Sequence, residues 1–340
     1  MEGSTQQQSL RLERTTLQLI NVVAYGSSSR AHSRRIRDVT GMDLPPSDIR
    51  FLEFLAGREP MPLGVVAAHL GMDLAQASRQ ATSLAELGHV LRSTDPADRR
   101  RTVVSLSTPT AVLMDRWLLD WSSGFPALLD GWSAEDLGHL SGWFDLVRSR
   151  LESAWPERME PRLPQRWEQL ADSDAHDPAV RRFLSSLVAL ISWVHQGGQF
   201  NDLLEHLGAP IRQHGYFTLR VVSHLGPMSI AEVAECMAID PSQASKRLRQ
   251  LTELGLVDRA VDQFDRRSSR VRVSRGGRAL ERKVLEQQLT TFSDVIGELP
   301  RTDRQCWEVL MARFMNQLAA AAADSDRWAG VAATGYAVSR

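Results

Sequence analysis

The fold is decided by a stretch that occurs twice. Residues 60–107 read PMPLGVVAAHLGMDLAQASRQATSLAELGHVLRSTDPADRRRTVVSLS, and residues 227–274 read PMSIAEVAECMAIDPSQASKRLRQLTELGLVDRAVDQFDRRSSRVRVS, without a gap between the two copies. Roughly twenty of the forty-eight aligned positions are identical, so the chain contains an internal duplication and the copies share one structure. The offset between them is far longer than the roughly 20 to 50 residues of a solenoid repeat, so the repeated unit is a whole domain.

Inside each copy, two short helical segments are joined by a tight turn: Leu63 to Leu70 then Leu74 to Leu87, and Ile230 to Met237 then Pro241 to Leu254. This is helix-turn-helix spacing. Asp73 and Asp240 stand where an N-cap carboxylate accepts backbone amide hydrogen bonds, Pro241 occupies a first helical position, and Gly88 and Gly255 follow the last periodic leucine. His89 to Arg92 with Thr102 to Leu106, and Leu256 to Arg259 with Ser269 to Val273, read as strand pairs around the arginine-dense loops STDPADRRR and AVDQFDRR. A hairpin appended to a helix-turn-helix makes a winged helix.

Working outward, Leu10 to Tyr25 and Arg181 to His195 carry apolar residues at helical spacing, and each copy is preceded by a second helix, Pro45 to Ala56 or Ile211 to His224. Long helical stretches follow each wing: Ala111 to Leu129 with Ala134 to Trp155, and Arg278 to Gly297 with Asp303 to Ala323. The proline-rich, charged join predicts a linker over 156–178 between a first domain over 10–155 and a second over 179–323, with a tail over 324–340. The expected fold class is mainly α with small β-hairpins, as two tandem winged helix-turn-helix domains.

Composition sets bounds on function. The 340 residues are 43% hydrophobic and 24% charged, as in a globular protein. No apolar run reaches the roughly 18 residues of a membrane span, and the first twenty residues do not read as a leader, so a cytoplasmic location is expected. The net charge of −1 means that any nucleic-acid partner must be met by local basic patches. The two cysteines, Cys236 and Cys306, can make neither a disulfide framework nor a thiolate cage and are expected to be buried or structural, so redox sensing is not expected. There is no glycine-rich phosphate loop, nucleophile elbow or HExxH, so no enzyme, cofactor or metal is expected.

A helix-turn-helix reads DNA through the outer face of its second helix, while the wing grips phosphate or the minor groove. The candidates in the first copy are Gln76, Ser78, Arg79 and Gln80 with wing residues Arg99, Arg100 and Arg101. In the second they are Ser242, Gln243, Ser245, Lys246, Arg247 and Arg249 with Arg266, Arg267 and Arg270. Asp98 and Asp265 precede the wing arginines and are expected to hold one of them in a bidentate salt bridge.

The order of helices, the LxxLG stop and the wings DPADRRRTVVSLS and DQFDRRSSRVRVSRGGRAL resemble the MarR family of bacterial transcriptional regulators, over nearly the whole chain and twice. The resemblance implies double-stranded DNA as partner and a dimer held by first and last helices. Here both units are covalently joined, so it implies an intramolecular pseudo-dimer, one chain forming one DNA-reading unit. Because the two recognition helices differ, the expected operator is an imperfect palindrome. The resemblance also implies a repressor relieved by a small aromatic ligand, for which Tyr25, His32, Phe51, Trp117, Trp121, His195, His214 and Phe217 are candidate lining residues. A different class remains open: a winged-helix protein-interaction module that antagonises another regulator without touching DNA.

Overall fold

The computed structural model describes residues 11–26, 30–70, 72–95, 98, 100–155, 177–194, 199–237, 239–261 and 269–324. Its elements in chain order are α1 (Arg11–Gly26), α2 (Arg30–Thr40), α3 (Pro46–Leu55), β1 (Met61–Pro62), α4 (Leu63–Leu70), α5 (Leu74–Glu86), β2 (Val90–Thr94), β3 (Thr102–Leu106), α6 (Thr108–Ser122), α7 (Phe125–Leu128) and α8 (Ala134–Ala154). They continue with α9 (Pro178–Val194), α10 (Gln199–His206), α11 (Gln213–Leu225), β4 (Met228–Ser229), α12 (Ile230–Cys236), α13 (Pro241–Glu253), β5 (Val257–Val261), β6 (Ser269–Val273), α14 (Arg275–Ile296) and α15 (Arg301–Asp324). The chain is mainly helical, with two small antiparallel sheets of order β1-β3-β2 and β4-β6-β5.

The duplicated sequence gives duplicated backbone chemistry. The turn between the paired helices is closed by Met72 N donating to Ala67 O in one copy and Ile239 N to Ala234 O in the other, both at 3.0 Å. Each second helix ends on a glycine of positive φ, 79° at Gly88 and 67° at Gly255, a conformation that costs a side-chain-bearing residue about 1 kcal/mol. The chain then turns back identically, with His89 N bonded to Leu84 O and Leu256 N to Leu251 O. The hairpins run in the same register, Val90 opposite Leu106 and Val257 opposite Val273.

Contacts group the chain into two compact units that interleave along the sequence. Unit one comprises Met1–Thr15, Arg35–Gly197 and Val295–Gln317; unit two comprises Thr16–Arg34, Gly198–Asp294 and Leu318–Arg340. The sequence repeat and the packing thus partition the chain differently: α9 opens the second repeat in sequence but packs along α8 in unit one.

Unit one has a winged-helix core built on Ile49, Phe51, Leu52, Val66, Ala77, Ala81, Leu84, Val90 and Val104. Its helical part is aromatic: Phe183 of α9 lies 5.8 Å from Phe144 of α8 and 5.4 Å from Phe314 of α15, and Trp143 lies 5.1 Å from Trp307. Each such pair adds about 0.5–1.5 kcal/mol beyond the area it buries. The last helix is tied to the first by Arg304, which donates to both carboxylate oxygens of Glu13 at 3.1 and 2.6 Å, Glu13 being fully buried. Arg313 of α15 stacks 4.4 Å over Trp132 and donates to Gly131 O and Asp136.

Unit two repeats the winged-helix core with Leu219, Val222, Val233, Ala244, Leu248, Leu251, Val257 and Val271. Among its buried polar residues is the acidic Glu281 of α14, packed against α11 and accepting from Ser223 Oγ at 2.7 Å with Arg220 3.7 Å away.

Three features differ from expectation. Helix α2 (RAHSRRIRDVT) has little apolar periodicity; its arginine-rich sequence is held by the fully buried Ile36 and by Arg35, which donates twice to Asp120 Oδ2 of α6 at 2.9 and 2.7 Å. Helix α10 is a second addition, packed through Leu204, which is buried, and Phe200, which lies 5.0 Å from Tyr216. The stretch expected as one helix from Ala111 to Leu129 is broken after Ser122, where Ser123, Gly124 and Pro126 interrupt the run.

Candidate nucleic-acid interface

Helices α5 and α13 each bury one narrow apolar face, Ala77, Ala81 and Leu84 or Ala244, Leu248 and Leu251, and turn the rest outward. The opposite face of α5 exposes Gln76, Arg79 and Ser83, and that of α13 exposes Ser242, Gln243, Lys246, Arg249 and Gln250. Most candidates read from the sequence therefore lie on the outward faces. Ser83 and Gln250 belong with them although the sequence did not single them out; they sit four residues beyond Arg79 and Lys246 on the same helical face.

Other candidates are placed differently. Gln80 is half-buried on the flank of α5, where its amide Nε2 donates to Asp48 Oδ1 of α3 at 2.7 Å. Burial pushes the Asp48 carboxyl up, opposed by the Gln80 hydrogen bond and the nearby His89. Ser78, Ser245 and Arg247 are likewise half-buried at helix flanks. Arg270, expected at the wing, has its guanidinium bonded to Pro227 O at 2.9 Å with Glu232 at 3.5 Å, so it braces the start of α12 rather than projecting outward.

The N-caps of the two recognition helices also diverge. Asp73 Oδ1 accepts from Gln76 N at 2.7 Å as expected, but Asp240 makes no side-chain cap bond. Pro241 removes one orphan N–H at that end, which lessens the demand for a cap.

At the first wing, Arg100 and Arg101 are exposed at the hairpin tip. Asp98 accepts from Arg100 N at 3.0 Å, an aspartate-backbone bond that shapes the turn, and meets Arg101 through a single nitrogen at 3.8 Å rather than as a bidentate pair. Arg99 lies outside the described residues, as do Asp265, Arg266 and Arg267 of the second wing. Arg92 on β2 and Arg259 on β5 are exposed beside the recognition helices and were missed because strand residues were read for pairing rather than for charge.

Of the candidate ligand-lining residues, Phe51 is wholly buried and Trp117 nearly so in the core of unit one, and Trp121 packs edge-on against Phe125 at 4.8 Å. Their surface is taken up by packing. His32 and His214 are half-buried, and Phe217 lies 5.9 Å from Phe200. The Tyr25 side chain and His195 lie outside the described residues.

The cysteines do not favour thiolate chemistry. Both are partly buried. Burial pushes the Cys236 thiol up, with Glu235 and Glu232 adding to it, and burial together with Asp136, Asp303 and Glu135 does the same at Cys306. Among the described residues no helix is long and apolar enough to cross a membrane and no group of three His, Cys, Asp or Glu could hold a metal.

Fold and surface define a tandem winged helix-turn-helix protein, each copy presenting a polar recognition face. The MarR family model matches at residues 42–101 and again at 216–268, once over each winged-helix segment. Solved structures similar to the chain include the transcriptional regulator SlyA (16% identity, TM-score 0.25, 34% of this chain and 80% of that one). Others are FabT of Streptococcus pneumoniae in complex with DNA (15%, 0.29, 37% and 85%) and a mutant MepR of S. aureus bound to an oligodeoxyribonucleotide (19%, 0.26, 35% and 87%). No curated protein sequence matches the chain significantly.

Proposed function

We propose that this chain is a transcriptional regulator that binds double-stranded DNA sequence-specifically as a single chain, its two non-identical winged helices reading the two halves of an imperfectly palindromic operator. The observation that carries the reading is the repeated pairing of an outward polar face on α5 or α13 with an arginine-bearing hairpin beside it. Bases are discriminated by side chains such as Gln76, Arg79 and Gln243, which have the donors and acceptors that base edges require. Phosphate affinity comes from Arg100 and Arg101 at the first wing and, by sequence, from Arg266 and Arg267 at the second. The buried Glu13–Arg304 pair, which joins the first and last helices, supports a covalent pseudo-dimer that needs no second chain. A cytoplasmic repressor relieved by a small aromatic compound is the regulatory form that fits the family resemblance.

A protein-interaction module is the second reading, favoured by Leu87 and Leu91 of unit one, which are 58% and 56% exposed at the end of α5 and on β2. A mobility-shift titration on the DNA upstream of the coding region, at two salt concentrations and with mass determined in solution, separates the two. Tight, salt-sensitive binding by one chain supports the DNA reader. Absence of binding there and on a random-sequence pool supports the interaction module.

A further inference from the structure

The two recognition helices are supported by different chemistry. In unit one, α5 is braced on both flanks: Gln80 donates to Asp48 of α3 at 2.7 Å, and Arg92 of β2 donates to Thr82 Oγ1. Thr82 Oγ1 in turn donates to Ser78 O one turn back at 2.8 Å. Each brace thus runs from the recognition helix to a separate element of the winged-helix core.

Neither brace exists in unit two. The duplication places Arg247 opposite Gln80, Gly215 opposite Asp48, Arg249 opposite Thr82 and Arg259 opposite Arg92. The burial pattern of α3 and α11 keeps the same offset, since Ile49, Phe51, Leu52 and Leu55 and their counterparts Tyr216, Thr218, Leu219 and Val222 are all buried. The Gly215 side chain offers no acceptor, and two arginines cannot bond to each other, so neither of these two bonds can form between the matching positions of unit two. Arg249 and Arg259 are both exposed.

We infer that Asp48, acting through Gln80, is a positioning residue that sets the angle at which α5 meets the groove, so base discrimination in the operator half read by unit one depends on this bond. This rests on the DNA-reading function proposed above. Base readout needs donors placed within a few tenths of an ångström over a fixed helix, whereas phosphate attraction tolerates a mobile cation. Unit one ties its recognition helix to α3 and β2 and carries a single arginine on its outward face, whereas the outward face of α13 carries Lys246 and Arg249. Burial of Asp48 adds a discriminating property: the site uses its oxygen as an acceptor while the charge itself is disfavoured there.

The test is selection of bound sequences by the full-length chain from a pool randomised across both operator halves, with Arg79→Ala identifying the half read by unit one. Asp48→Ala should reduce base preference in that half by roughly fivefold to tenfold. Preference in the other half and the salt dependence of affinity should stay as in wild type, because no cation is removed. Asp48→Asn should restore the preference, since an amide oxygen accepts from Gln80 equally well, and Gln80→Ala should reproduce the alanine variant with no further loss in the double variant. The inference is overturned if folded Asp48→Ala keeps the wild-type preference, if Asp48→Asn fails to restore it, or if Gln80→Ala loses more preference than Asp48→Ala does, which would make Gln80 a direct base contact. Should Asp48→Ala not fold, the Asn variant and Gln80→Ala decide by the same criteria. A wild-type chain with no sequence preference overturns the DNA-reading function itself, an outcome distinct from a preference that Asp48 does not affect.

Discussion

Removing Lys246 and Arg249 together isolates the electrostatic contribution of α13. Both side chains are exposed on its outward face, whereas the matching positions in α5 are Arg79 and the uncharged Thr82. Each phosphate neutralised on B-DNA contributes about 0.9 to the slope of log affinity against log salt, so Lys246→Ala with Arg249→Ala should make that slope shallower by about 1.8. Between about 50 and 200 mM salt, a fourfold range, the deficit of the double variant relative to wild type should shrink about twelvefold, which is four raised to the power 1.8. Arg79→Ala, removing one cation, should change the slope by at most about 0.9, a deficit shrinking only about 3.5-fold over the same range. Fluorescence anisotropy with one labelled operator at four or five salt concentrations measures both slopes. A double variant whose slope equals that of wild type, while its affinity falls by the same factor at every salt concentration, would refute the assignment of these residues to phosphate.

Two further outcomes follow from buried charge. Arg304→Ala leaves the fully buried Glu13 carboxylate without its bidentate partner; with Arg304 itself 24% exposed, the loss should fall near the lower end of the usual range, about 3 kcal/mol in denaturant unfolding. Replacing both, Glu13→Leu with Arg304→Met, should cost much less, and equal losses in the single and double variants would show that the pair is not what holds the terminal helices. At Glu281, burial pushes the carboxyl above the ordinary glutamate range, against the opposing pull of Ser223, Arg220 and Arg278. A carboxyl whose folded value is raised stabilises the fold fully below its unfolded value, and that stabilisation is lost as pH rises through the folded value. The stability advantage of Glu281→Gln over wild type should therefore grow as pH rises from about 4, the ordinary glutamate value, through the raised folded value; an advantage that is flat with pH would contradict a perturbed Glu281.

Much of the recognition surface was legible because it depends on local chemistry. The turn after α4 and the stop after α5 rest on short-range hydrogen bonds and on Gly88, and the same residues recur at Gly255, so two copies of one message reinforced each other. Local reading erred where a long-range partner captured the side chain. Gln80 looked like a groove residue until α3 brought Asp48 within 2.7 Å, and Arg270 looked like a wing cation until β4 brought the Pro227 carbonyl to it. Helix α2 was invisible for the same reason, since the Asp120 that holds Arg35 lies 85 residues away.

The sequence by itself determined the duplication, the winged helix-turn-helix in each half and the polar character of both recognition helices. These follow from hydrophobic period, glycine stops and strand alternation, all of which act over a few residues. Only the tertiary structure decided that α1 and the end of the chain join through Glu13 and Arg304, and that α9 leaves its own repeat to pack on α8. It also decided that Gln80 and Thr82 of α5 are tied to Asp48 of α3 and Arg92 of β2. Those outcomes depend on which surfaces meet between separate elements of the chain, and hydrophobic pattern specifies that a face must be covered without specifying by what.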